Sequence, residues 1–190
     1  MIKSDIQHKI LDDYITDFLT VRVDTNTGPV HISTTYLPPR RPYLPYPDVH
    51  KIATDNTPTY IIGDLNAKHI YLGDTSNNNV GIGIKTMIDN NTLKHLGPTF
   101  PTYYSTTTRT TPDIILGNKH TYHNINIKPG PDTPSDHLPI IVSITSKAIK
   151  IPAPPKYNHH LADWDSFHES IRNTITNTIN TSCTRHTTTT

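Results

Sequence analysis

Two short apolar runs, each tied to an acidic residue, constrain this chain more than anything else in it. Thr59-Tyr60-Ile61-Ile62-Gly63-Asp64 is too brief for a buried helix and does not alternate. It reads as a central strand buried on both faces, with Asp64 delivered at its C-terminal end. Asp113-Ile114-Ile115-Leu116 repeats the apolar run with its carboxylate first. Around this pair, Phe18 to Asp24 alternates apolar and polar residues, and Val30 to Tyr36 returns after the turn residues Thr25-Asn26-Thr27-Gly28-Pro29. That pattern predicts a hairpin. Two more strands are expected near Tyr122–Lys128 and Leu138–Ile144. Helices are fewer. A short one is expected over 48–54, and another over Val80 to Ile88, with Ile84, Met87 and Ile88 on one face despite Gly81 and Gly83. The five prolines between Leu37 and Pro47 exclude regular structure there. Short strands separated by loops and one or two helices predict a mixed α/β sandwich.

The chain's 190 residues, 33% of them hydrophobic, suffice for one core. After Ile149 the composition shifts. Ile151-Pro152-Ala153-Pro154-Pro155 reads as a stiff linker. Beyond it, Trp164, Phe167, Ile171, Ile175 and Ile179 recur at three- or four-residue spacing and draw an amphipathic helix, with a disordered end expected from Cys183 onward. The division is therefore a folded region over 1–149 and a linker plus helix over 150–190. No apolar run approaches the ~20 residues that span a bilayer, and no charged-then-apolar leader opens the chain. A single cysteine, Cys183, excludes an intrachain disulfide framework and a multi-cysteine zinc site, and points to a reducing intracellular setting. Seventeen Lys+Arg against sixteen Asp+Glu leave a net charge of +1. Bulk charge thus names no polyanionic partner, and nucleic-acid binding would rest on local geometry.

Four polar clusters fall at ends of the expected strands: Tyr36, Asp64 with Asn66, Asp113, and Ser135-Asp136-His137. Strand ends bring side chains to one rim, where they can converge on a substrate. An Asp beside a His supplies a base with a carboxylate to orient it or hold a cation, a set that suits metal-assisted attack of water on a phosphate ester. Each element alone has an ordinary explanation. Asp and Asn after a strand make turns. The other histidines read as surface or core residues, and Tyr103 and Tyr104 as core. The ordered combination on separate strands is what raises the chemical reading.

Three segments, in order, resemble the endonuclease/exonuclease/phosphatase family: Tyr60-Ile61-Ile62-Gly63-Asp64-Leu65-Asn66-Ala67-Lys68-His69, Thr111-Pro112-Asp113-Ile114-Ile115-Leu116, and Ser135-Asp136-His137-Leu138-Pro139-Ile140. Within it they are most similar to the endonuclease domains of non-LTR retrotransposons, whose reading frames continue into a reverse transcriptase. Thr34-Thr35-Tyr36-Leu37-Pro38-Pro39 resembles the tyrosine segment of that group. The resemblance implies a four-layered α/β sandwich, a DNA partner, Mg²⁺ (or Mn²⁺) as cofactor, and a nuclear location. It implies His137 as general base, Asp113 as the carboxylate orienting it, and Asp136 as a metal ligand. Asp64 and Asn66 would position the nucleophile, touch the metal and stabilise charge on the phosphate. Tyr36 would contact the scissile phosphate, and Thr102 and Ser135 would support it. Arg40 and Arg41 would touch the DNA backbone.

The family pattern opens with an Asn-bearing strand and a strand carrying a metal-binding Glu. Here Met1 to Asp5 resembles the domain interior, and the only glutamate is Glu169 on the C-terminal helix. The expectation is a domain incomplete at its N-terminus, with an unpaired sheet edge, exposed apolar surface and impaired nicking. The alternatives are an inert retrotransposon remnant with weak DNA binding, and another phosphodiesterase or abasic endonuclease of the same family.

Overall fold

The structure, a computed structural model, describes residues 1–11, 17–121, 125–152 and 159–183, the last stretch with side chains for 160–175. The chain divides into two units, Met1–Ala153 and Pro154–Thr190, a few residues beyond the composition shift after Ile149.

In the first unit the strands are β1 (His8–Leu11), β2 (Leu19–Thr25), β3 (Gly28–Tyr36), β4 (Thr59–Asp64), β5 (Leu93–Gly97), β6 (Tyr103–Tyr104), β7 (Arg109–Thr110), β8 (Asp113–Asn118), β9 (Ile125–Pro129) and β10 (Ile140–Ile144). Two helices intervene, α1 (Tyr46–Thr54) and α2 (Asn79–Asp89). Six strands form the main sheet in the order β1-β2-β3-β4-β8-β5, while β9–β10 and β6–β7 are separate two-stranded ribbons. Within the main sheet only β3 and β4 run parallel. A parallel neighbour needs a crossover, and the proline-rich loop with α1 supplies it.

β4 is the central strand the sequence announced, with Thr59, Tyr60 and Ile61 all buried. Successive side chains leave opposite faces, so its neighbours sort into two sets. Ile61, Ile114 and Leu116 face the helices and share a core with Val49 and Ile52 of α1 and Val80, Ile84 and Met87 of α2. Each such side chain contributes roughly 1.5–3 kcal/mol by leaving water. On the other face, β9–β10 covers the β8 side, where Ile62 and Asp113 share a pocket with Leu138, Pro139 and Ile140. Toward β1 that face is open. Ile10 and Leu19 are exposed and, with Val21, Val23 and Ile32, line an apolar groove of about 700 Å³. The exposed apolar surface expected from the sequence is present.

Some expectations shift. The first helix begins at Tyr46, with Pro47 inside its first turn, where a missing N–H costs no helical hydrogen bond. β1, β5, β6 and β7 carry too few β-branched or alternating residues to have been read as strands. Of the expected strand over Tyr122–Lys128, residues 122–124 lie outside the described residues, as do 153–155 of the linker and 184–190 of the C-terminus.

In the second unit, α3 (Trp164–Cys183) is the amphipathic helix drawn by the apolar spacing. Trp164, Phe167, Ile171 and Ile175 are exposed along it, and the side chain of Ile179 lies outside the described residues. Among the described residues, no helix is long and apolar enough to cross a membrane.

Candidate active site

β3, β4 and β8 end together on one rim. Their register pairs Tyr36 with Asp64 and Asp64 with Asp113, which sets phenol, carboxylate and carboxylate in one row on one face. The fourth member of the row, the His137 imidazole, comes from a loop. His137 reaches the row because its backbone bridges Tyr103 and the Leu138 N–H bonds the Thr102 carbonyl at 2.7 Å.

His137 Nδ1 lies 2.9 Å from Asp113 Oδ2. A carboxylate only accepts, so Nδ1 carries the proton and Nε2 is left to take one. Asp113 is itself held in place. Thr102 Oγ1 donates to the same Oδ2 at 2.7 Å and accepts the Asp113 N–H at 3.2 Å. Thr102 is fully buried, so it supports Asp113 and does not face the cleft.

Asn66 stands just beyond β4 with φ of 45°, a left-handed conformation that Asn tolerates better than most residues. Its amide donates to Asp64 Oδ1 at 2.8 Å and to the Leu37 carbonyl at 3.0 Å, tying the end of β4 to the end of β3. Burial, then the adjacent Asp113 carboxylate, push the Asp64 carboxyl above its ordinary value, against the pull of Asn66 and the His137 charge.

Asp64, Asp113 and His137 each offer a ligand atom, and these atoms lie within 4.8 Å of one another. Two crowded carboxylates that repel each other fit a hard divalent cation, which would relieve the repulsion felt by Asp64. Asp64, with the Asp113 oxygen not engaged by His137, would hold it.

The cleft in front of this row has a volume of about 300 Å³ and is lined by Tyr36, Asp64, Asn66 and His137 among others. Tyr36 is exposed there. The remaining expected residues stand apart. Asp136 is exposed, in the bend formed by residues 134–136, and its carboxylate is not part of the close group. Ser135 accepts the His137 N–H on its hydroxyl at 3.1 Å, so it shapes the loop. Arg41 is committed to a two-pronged ion pair with Asp17, at 3.0 and 2.6 Å, while Arg40 is exposed.

Sequence reasoning missed Tyr103, Asp74 and Lys68, which line the cleft, and Tyr104 beside it. Tyr103 packs edge-on against His137 at 5.1 Å between ring centroids, so it is part of the site and not core. Tyr104, exposed beside it, lies under the Arg109 guanidinium at 5.8 Å. Asp74 lines the cleft but is nearly buried, its Oδ1 accepting the Thr75 and Ser76 N–H groups of its own turn. Lys68 lines it too, and alternation from Asp64 was the available signal.

Fold and rim together define a mixed α/β protein whose strand ends carry an oriented Asp–His pair beside a cation-ready carboxylate. The endonuclease-reverse transcriptase family pattern matches residues 30–141, more than half of the chain and all of this rim, and the chain belongs to that family. Among curated proteins it is 24% identical over 181 residues to a probable RNA-directed DNA polymerase from transposon X-element of Drosophila melanogaster. It is 25% identical over 162 residues to the RNA-directed DNA polymerase from mobile element jockey of Drosophila funebris. Those matches take in 92% and 82% of this chain but only 20% and 18% of the relatives, so the chain spans about a fifth of their length. Among solved structures, the endonuclease domain of TRAS1, a telomere-specific non-LTR retrotransposon, superposes with a TM-score of 0.63 at 18% identity. That superposition covers 76% of this chain and 68% of that one, and it shows a shared fold.

Proposed function

We propose that this chain is the DNA-nicking part of a retrotransposon polyprotein, hydrolysing one phosphodiester to leave a 3′-hydroxyl for reverse transcription by a downstream region, in the nucleus. The observation that carries the reading is the oriented Asp113–His137 pair, 2.9 Å apart, beside Asp64 on one rim. His137 Nε2 takes a proton from water as its oxygen bonds phosphorus. The bond from phosphorus to the 3′-oxygen then breaks, the leaving oxygen takes a proton from solvent water, and the His137 imidazolium returns its proton to solvent. Asp113 keeps the imidazole in the right tautomer and balances its charge, while Asn66 and Tyr36 orient the phosphate. A bound Mg²⁺ or Mn²⁺ would supply charge neutralisation at the phosphate oxygens.

A second reading, an inert copy that at most binds DNA, is favoured by one observation. Among the described residues the close group holds two carboxylates, and neither comes from a glutamate. Losing one charged ligand at such a site costs ~3–4 kcal/mol of transition-state stabilisation, or ~100–1,000-fold in rate.

Nicking of supercoiled plasmid with Mg²⁺ or Mn²⁺ tests both. The 190 residues alone are expected to nick feebly, and a version extended by Asn- and Glu-bearing strands ~100–1,000-fold faster. His137→Ala should remove the activity of both, by ~100–10,000-fold. Nicking that survives His137→Ala overturns the assignment, and an extended chain that stays inactive supports the inert reading.

A further inference from the structure

The chain leaving β4 continues to alternate after the strand ends. Leu65 and Ala67 are buried at 1% exposure each, while Asp64, Asn66 and Lys68 are half-buried and all line the cleft. Lys68 therefore lies on the same side as the two residues that the proposed hydrolysis uses.

Its backbone is fixed from both directions. Asn78, the N-cap of α2, accepts the Lys68 N–H on Oδ1 at 3.1 Å, and its own N–H donates to the Lys68 carbonyl at 2.9 Å. The same Oδ1 accepts the Gly81 N–H at 2.8 Å, and the Asn78 amide donates to the Asn66 carbonyl at 2.8 Å. One side chain thus caps a helix and clamps the segment from Asn66 to Lys68 against it. Gly81 is required by the same clamp, since a Cβ built there would collide with the Lys68 carbonyl oxygen. This explains why a helix keeps a glycine in its first turn.

The ammonium is not spent within the described residues. Arg22, Arg41, Lys85 and Lys150 are paired with Asp24, Asp17, Asp89 and Asp5, and no ion pair or side-chain hydrogen bond engages Lys68. Asp74, the other carboxylate of the cleft, is turned into its own loop. A lysine on an ordinary solvated face would need no clamp on its backbone and would not share a cleft with two carboxylates.

We propose that Lys68 is an anion-binding group of this cleft, contacting a non-bridging oxygen of a DNA phosphate at or next to the one hydrolysed. The assignment of DNA rests on the proposed function, whereas the anion site itself does not. Lysine suits the task as a flexible point charge that follows a phosphate as it changes shape.

The test uses the full chain in two arms. In the first, inorganic phosphate is titrated while the ε-carbon NMR signal of Lys68 is followed, the signal being identified by its loss in Lys68→Arg. Lys68 should shift at lower phosphate than the other lysines. In the second, duplex DNA binding is measured against salt with Ca²⁺ present, for the parent chain, Lys68→Met and Lys68→Arg. Losing one phosphate contact should flatten the log–log salt slope by about 0.9 in Lys68→Met and leave it unchanged in Lys68→Arg. If DNA binds and Lys68→Met matches the parent, the Lys68 assignment is overturned and the nuclease reading stands. A Lys68 signal that responds to phosphate while DNA does not bind keeps the anion site and overturns DNA as its ligand. Neither phosphate nor DNA binding would overturn both.

Discussion

An Asp–His pair stands near each end of the β3–β4 ladder, and the two pairs have different fates. At the rim, His137 Nδ1 bonds Asp113 and the cleft lies in front of the ring. At the opposite end, His31 Nδ1 lies 3.3 Å from Asp55 Oδ2, with His31 only 7% exposed. Around this second pair, fully buried Asn118 accepts the Thr59 and His120 N–H groups and donates to the Asp55 and Thr57 carbonyls. Burial also lowers the His31 pKa from its ordinary value, opposed by Asp55 and aided by Arg22, which stands directly across the β2–β3 ladder. The same two residue types therefore line an open cleft in one place and close off a buried end of the sheet in the other. Sequence adjacency separates neither case, because both pairs join residues distant in the chain.

The contrast is broken most severely at Asn118. Asn118→Ala takes the partner from the Asp55 carbonyl and from the Thr59 and His120 N–H groups, at about 1–3 kcal/mol for each that finds no water, while the Thr57 carbonyl keeps the Thr59 hydroxyl. The expected melting temperature is lower by about 5–15 °C, measured by calorimetry. A drop under about 2 °C would mean that Asn118 does not hold this end of the sheet.

Acid sensitivity is the next effect. Unfolded His31 takes up a proton as pH falls through about 6.5, whereas folded His31 stays neutral to lower pH. The unfolded state then binds more protons, so stability should fall as pH falls from about 6.5. His95, whose pKa burial also lowers, acts with the same sign. Denaturant titrations between pH 5 and 7 should show this loss in the parent chain and a shallower one in His31→Gln. An identical slope in the two would remove His31 from the account.

The smallest effect belongs to the rim. The Asp64 pKa is raised by burial and by Asp113, so the ionised form is held at a cost at neutral pH without a cation. Asp64→Asn keeps an oxygen to accept from Asn66 and removes that charge. It should raise the metal-free melting temperature at pH 7 by about 1–3 °C while abolishing nicking. A lower melting temperature would show that the ionised carboxylate supports the fold.

Much of this rim was legible in the sequence because its members lie at ends of strongly apolar strands. Asp64 and Asp113 are set by the strands themselves, Asn66 by the turn that follows, and His137 by its place between Ser135 and the apolar run from Leu138. The resemblance offered Asp136 as a metal ligand, and its carboxylate stands outside the close group. The resemblance offered Arg41 as a DNA contact, and the structure pairs it with Asp17. Both depended on which way a loop side chain turns, and no periodicity encodes that.

By itself the sequence determined the apolar central strands, the order of the motifs and the alternation that puts Asp64, Asn66 and Lys68 on one side, since those follow from local sterics and burial. Tertiary structure alone decided which strands became neighbours. The register of β3, β4 and β8 aligned Tyr36, Asp64 and Asp113. The loop after β9 brought His137 to Asp113, Asn78 clamped Lys68, and His31 was enclosed. These contacts join residues far apart in the chain. Their geometry depends on the packing of the whole sheet, which no local pattern of residues contains.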